Sequence, residues 1–170
     1  MTTRMNQICS RLDQTGARTA LVRGASAPSR PPDTVTLAPG IARSVGPDGR
    51  SAPLYVTAQA PSGRTVREYD GAEVGPAADC AEDLTAARDP RAVWLCERDQ
   101  IRSWWSEEVA DFLERRLADA ARQVDARLVV WTGAGETGDE THGEEDPRGP
   151  DRRTENDAAA TDRYDVVLDR

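Results

Sequence analysis

Between Ala92 and Trp131 the chain spells out a strand, a helix and a strand, and this stretch limits the fold more than any other. Ala92-Val93-Trp94-Leu95-Cys96 is a continuous apolar run, β-prone and short. That is the pattern of a central strand covered on both faces. Leu128-Val129-Val130-Trp131 repeats it. Residues 100–125 between them read as one amphipathic helix. Stepping about 100° per residue from Ile101, Trp105, Val109, Phe112, Leu113, Leu117, Ala120 and Val124 gather in one broad arc. Glu107, Glu108, Asp111, Glu114 and Arg115 fall outside it. Two strands joined through a helix run parallel with a right-handed crossover, so the loops that follow them open at the same sheet edge.

The remaining elements are shorter. Residues 4–14 suggest a helix with Met5, Ile8, Cys9 and Leu12 on one side, stopped at Gly16. Residues 18–23 read as a strand, and 25–33, ASAPSRPPD, as a Pro/Ser-rich linker. Thr34 to Leu37 alternates polar and apolar, Pro39-Gly40 interrupts, and Ile41 to Val45 resumes. Leu54 to Gln59 alternates again, and Thr65 to Asp70 returns after a turn at Pro61-Ser62-Gly63. These segments form a three-stranded antiparallel meander. Residues 77–87 are a weakly patterned helix closed by Asp89-Pro90. Residues 134–162 are rich in charge, Gly and Pro and offer almost nothing to pack, the composition of a disordered acidic loop. Tyr164 to Leu168 is a last strand. The expectation is a single α+β (or α/β) domain over 1–170. An antiparallel meander in the first half joins a βαβ unit with one long helix, and an acidic insertion precedes the final strand.

Charge bounds the partners. The chain has 22 basic residues, all Arg, against 30 acidic ones, for a net charge of -8. A GC-rich genome explains Arg without Lys but not the carboxylate excess, so the composition favours a salt-adapted protein whose charge serves solubility. The net charge is +5 over residues 1–65, -6 over 66–133 and -7 over 134–170. A basic first third could touch nucleic acid. Docking against the acidic remainder is the simpler reading, and at molar salt, where the Debye length is about 3 Å, phosphate attraction is weak. Nucleic acid is therefore a disfavoured partner. Cys9, Cys80 and Cys96 are odd in number and widely spaced, which points to free thiols in a reducing compartment. The N-terminal stretch has no apolar signal region, and no run reaches membrane-span length. A soluble cytoplasmic protein without a membrane partner is expected.

Four features invite a functional reading. Gly133-Ala134-Gly135-Glu136-Thr137-Gly138 is a literal G-x-G-x-x-G after a strand. That device needs a helix directly behind it to hold a pyrophosphate. Here Asp139 to Gly149, with Pro147, offers no apolar face for one, so no dinucleotide cofactor is expected. His142 is the one histidine and lies in the acidic loop, away from any serine or cysteine triad. The same acidic loop is no calcium site either, since the stretch from Asp151 lacks the ligands of a calcium loop.

The third feature is a set of carboxylates at the edge where the two parallel strands end: Glu97, Asp99 and Glu136, joined by Asp162 if the last strand runs antiparallel. Converging carboxylates hold Mg²⁺ for phosphoryl-transfer or nuclease chemistry. In an acidic protein such residues also flank strands and cap helices, and Asp99 suits the N-cap of the long helix. The fourth is Trp104. On a continuous helix it lies among Glu108, Asp111 and Arg115, where an exposed Trp marks a partner-binding spot. If the helix instead begins at Ser106, Trp104 packs back onto the sheet. Trp94 and Trp131 read as core. The reading favoured by these features is a non-enzymatic accessory or interaction protein. The alternative is a Mg²⁺-dependent enzyme at Glu97, Asp99 and Glu136.

Overall fold

The computed structural model describes residues 6–24, 33–40, 52–133 and 163–169. Its element order is α1 (Asn6–Thr15), β1 (Thr19–Arg23), β2 (Thr34–Pro39), β3 (Leu54–Ala60), β4 (Gly63–Tyr69), α2 (Val74–Arg88), β5 (Ala92–Leu95), α3 (Arg98–Trp104), α4 (Glu107–Gln123), β6 (Arg127–Thr132) and β7 (Val166–Asp169). The strands form one sheet in the order β4-β3-β2-β5-β6-β1-β7. β2, β3 and β4 make the antiparallel meander. β2-β5, β5-β6, β6-β1 and β1-β7 are parallel. The fold is thus the mixed α+β arrangement expected, with the meander joined to the βαβ unit through β2 and β5.

Period-2 alternation sorts the sheet's side chains into two cores. Val35, Leu37, Leu54, Val56, Val93, Leu95, Leu128 and Val130 face α2 and α4, where they meet Ala77, Ala81, Leu113 and Leu117. Ala20, Val22, Trp94, Cys96, Val129 and Trp131 face the other way, onto Ile8 and Leu12 of α1. β5 is buried along its whole length, which is why its sequence runs apolar instead of alternating. α1 ends where Gly16 takes φ +66, a left-handed backbone that suits glycine, and Ala17 N–H bonds back to the Leu12 carbonyl at 3.0 Å.

The long helix expected over 100–125 is two helices. Ser106 has an extended backbone, and its hydroxyl accepts from Val109 N–H at 3.2 Å, the geometry of a helix N-cap. Trp105 stands between the helices and donates its indole N–H to the Gly71 carbonyl at 2.7 Å, tying the break to the α2 side of the sheet. The Ser cap and this bond outweigh helix continuation. Asp99 consequently caps nothing: it lies in the first turn of α3, whose N-cap position is Glu97, and α4 is capped by Ser106.

The final strand is parallel to β1, not antiparallel, so the premise that would bring Asp162 to the carboxylate edge fails; Asp162 itself lies outside the described residues. Asp165, just before β7, accepts from the backbone N–H groups of Arg18 (2.8 Å) and Thr19 (3.0 Å), which fastens β7 at the start of β1. These two bonds hold its carboxyl below the usual range. The strand expected over 41–45 and the segments 25–32 and 134–162 also lie outside the described residues. No helix among the described residues is long and apolar enough to cross a membrane.

At the end of β2, Gly40 donates its N–H to the Pro53 carbonyl at 2.7 Å and lies close to the Tyr55 ring. A Cβ there would collide with that ring and come within 2.7 Å of Pro53 Cγ. Gly40→Ala should therefore lower unfolding stability by about 1–3 kcal/mol, the usual range for overpacking. Urea denaturation followed by tryptophan fluorescence measures it, and an unchanged midpoint would show that Tyr55 yields freely.

Candidate functional site

The parallel strands deliver their carboxyl ends to one edge, the place where open α/β sheets bind ligands. Glu97 stands there, two residues past the end of β5, with φ 52 and ψ 48. A left-handed backbone is a costly conformation for a residue with a long side chain. Asp99 follows two residues later on α3. Glu136, the third carboxylate of the expected set, lies outside the described residues, as do Gly135, Gly138 and His142. Among the described residues no group of three His, Cys, Asp or Glu side chains is arranged to hold a metal ion.

The residue between those two carboxylates is buried. Arg98 is 9% exposed and reaches from the first turn of α3 to the side of α4. Its Nε donates to Glu114 Oε2 at 2.7 Å, and its Nη2 donates to Glu107 Oε1 and Asp111 Oδ1, both at 2.7 Å. The lead-in to β7 closes the cluster. Arg163 Nη1 donates to Asp111 Oδ1 at 2.8 Å, and the Tyr164 hydroxyl donates to Glu114 Oε1 at 2.7 Å. Burial opposes the charge on Arg98, but its hydrogen bonds to Glu107 and Glu114 outweigh that and hold it protonated. Burial likewise pushes Asp111 up, and the guanidiniums of Arg163 and Arg98 bring it below the usual carboxylate range. Burial first, and then the Glu114 charge, raise the Tyr164 phenol well above its ordinary value.

Beside this cluster lies a cleft of about 290 Å³ lined by Asp111, Glu114, Arg115, Ala118 and Arg163. Arg163 is committed to Asp111. Arg115 is exposed, and among the described residues no carboxylate lies within ion-pair distance of it. A second clamp, Arg116 on Glu82 and Asp79, joins α4 to α2, and Arg116 also lies 5.5 Å over the Phe112 ring. The three cysteines are free, with Cys9 and Cys96 buried and Cys80 partly so. Burial raises the Cys9 thiol, as suits an inert core residue.

The sequence expectations meet this geometry unevenly. Trp104 is half-buried, tilted at 57° against Trp105 with ring centroids 6.0 Å apart, and it ends α3 instead of standing on the charged face of α4. Glu114, expected on the outer face, is 9% exposed. Arg98 and Tyr164 were invisible as partners of Glu114, 16 and 50 positions away in the chain, and Arg163 as a partner of Asp111, 52 positions away. The one available signal was the set of acids at 107, 111 and 114, spaced to share a helix face. The chain matches no protein-family model, no curated protein and no solved structure.

Proposed function

We propose that this chain is a non-enzymatic accessory protein that binds another protein through the α4 cleft. The observation that carries this reading is the cleft wall itself. It presents charges of both signs, and its exposed cation, Arg115, has no carboxylate partner among the described residues. Carboxylates at Asp111 and Glu114 repel a phosphate, whereas a protein surface brings side chains of both signs and satisfies such a wall. Trp104, half-buried at the end of α3, is the candidate for extending the contact. The acidic composition fits a concentrated-salt cytoplasm, where such a contact depends on close fit because free charges are screened within about 3 Å.

The test is affinity capture from native lysate in molar KCl with the wild type, Arg115→Glu and Trp104→Ala. One stoichiometric protein retained by the wild type and lost with Arg115→Glu is the expected result. Capture indifferent to Arg115→Glu, or an empty bead, sinks the reading. Capture unchanged by Trp104→Ala confines the contact to α4. The alternative, a Mg²⁺-dependent phosphoryl-transfer or nuclease-type enzyme at Glu97, Asp99 and Glu136, draws support from the strained backbone of Glu97 at the carboxyl edge. Calorimetric Mg²⁺ binding that disappears in Glu97→Gln would move the assignment there.

A further inference from the structure

Among the described residues β4 is an edge strand, and its outer edge is complementary to itself. A two-residue turn, Pro61-Ser62, closes the β3-β4 hairpin on the pair Ala60 and Gly63. In such a hairpin the closing pair is hydrogen-bonded and the pattern alternates. Gly63, Thr65, Arg67 and Tyr69 therefore direct their backbone groups to β3. Arg64, Val66 and Glu68 direct theirs outward, away from the sheet. The register also sets the faces. Leu54, Val56 and Ala58 face α2 and α4, so their partners Tyr69, Arg67 and Thr65 do too. Arg64, Val66 and Glu68 project together from the opposite face. All three are exposed, and Val66, at 47%, is the large hydrophobic side chain left in the open among the described residues.

We infer that β4 pairs antiparallel with β4 of a second copy of this chain, about a two-fold axis at Val66. A two-fold interface brings the same patch from both subunits, so the strand must complement its own reverse. With Val66 opposite Val66 of the other copy, Arg64 stands opposite Glu68 and Glu68 opposite Arg64. The outward backbone groups of all three residues then pair, giving six hydrogen bonds across the axis, by the ladder rule for antiparallel strands. On the same face the valines meet at the centre, flanked on each side by an Arg–Glu pair, the cross-strand combination that favours pairing. The register displaced by two residues in either direction destroys this match: it sets Val66 against Arg64 or against Glu68 and leaves a charged residue facing its own copy on the axis or beyond the strand. On the other face Arg67 stands opposite Thr65, and the two Arg67 side chains lie diagonally across the axis, long enough to splay into solvent. This surface is separate from the α4 cleft, and the dimer does not depend on that assignment.

The pairing buries a narrow strip, smaller than the interface of a permanent complex, so a concentration-dependent monomer–dimer equilibrium is expected. Sedimentation equilibrium of the full chain reads it. Arg64→Glu alone sets carboxylate against carboxylate on both sides of the axis and should weaken association about tenfold. Glu68→Arg alone should do the same with like cations. The double change Arg64→Glu/Glu68→Arg restores opposite charges and should return the wild-type constant. Val66→Pro removes the central outward N–H, which an edge strand tolerates; it should abolish association while the circular dichroism and unfolding midpoint stay close to wild type. A monomer at every concentration overturns the inference and leaves the charges as guards of an exposed edge. A dimer indifferent to Val66→Pro, or one that the double change does not rescue, also overturns it.

Discussion

Replacing Arg98 by Met should cost the fold about 3–5 kcal/mol, the loss typical when one member of a buried ionic cluster is removed. The guanidinium is 9% exposed and holds three carboxylates, each at 2.7 Å. Without it Glu114 keeps the Tyr164 hydroxyl and Asp111 keeps Arg163, but Glu107, Asp111 and Glu114 are left as neighbouring anions on one side of α4. The loss has a pH signature. Asp111 has a folded pKa below its unfolded value, so its contribution is present above about pH 4 and is lost as pH falls through the folded value. In Arg98→Met the three carboxylates lose the cation they share, so holding their charges together opposes folding more strongly than in the wild type. The gap between variant and wild type should therefore be widest near neutrality and narrow as the carboxylates protonate below about pH 5. Adding Glu114→Leu to Arg98→Met should recover part of the loss, since two apolar groups tolerate this site better than an unpaired charge. Chemical denaturation between acidic and neutral pH tests all three statements. A pH-independent deficit would show that Arg98 acts by packing alone.

Trp94→Ala should be comparably damaging, at about 3–5 kcal/mol, because it empties the largest fully buried side-chain volume in the molecule's described core. Trp94→Phe is the informative companion. The indole N–H of Trp94 is buried and finds no acceptor among the described residues. An unsatisfied buried donor costs about 1–3 kcal/mol, and phenylalanine removes that cost while leaving a smaller void. The two changes offset, so Trp94→Phe should fall within about 1 kcal/mol of wild type by denaturant unfolding. Trp131 supplies the contrast. Its indole donates to the Gly24 carbonyl at 3.1 Å, so Trp131→Phe orphans a carbonyl instead of relieving a donor and should be the more harmful of the two. Equal losses at the two positions would mean that the Trp94 donor carries no penalty.

Much of the framework was legible because it rests on local periodicity. The runs at 92–96 and 128–131 appear as β5 and β6, paired in parallel from Ala92 and Arg127 onward. The alternation at 34–37, 54–59 and 65–70 appears as the meander. Ser106 was readable as a cap from its type and the acids behind it, and it does begin α4. The helix pattern nevertheless ran through the break, because Ile101 and Trp105 fall on the same arc as the residues of α4 and the α3 turn preserves their burial.

The candidate site was far less legible. Glu114 sits on the polar side of its own helix by pattern and is buried only because Arg98 and Tyr164 arrive from elsewhere to satisfy it. Glu97 reads as an ordinary acid, and its left-handed backbone follows from how β5 turns into α3.

The sequence by itself determined the element types, the two-sided burial of β5 and the parallel βαβ unit, because backbone propensity and hydrophobic period act between near neighbours. It also holds the alternation of Arg64, Val66 and Glu68, whose placement along the outer side of β4 follows from the β3-β4 register. Tertiary structure alone decided the direction of β7, the closure of Arg98 on three carboxylates and the cleft beside Arg115. Each of those depends on which distant segments share a face, and the energy of a buried charge is set by partners that local sequence does not name.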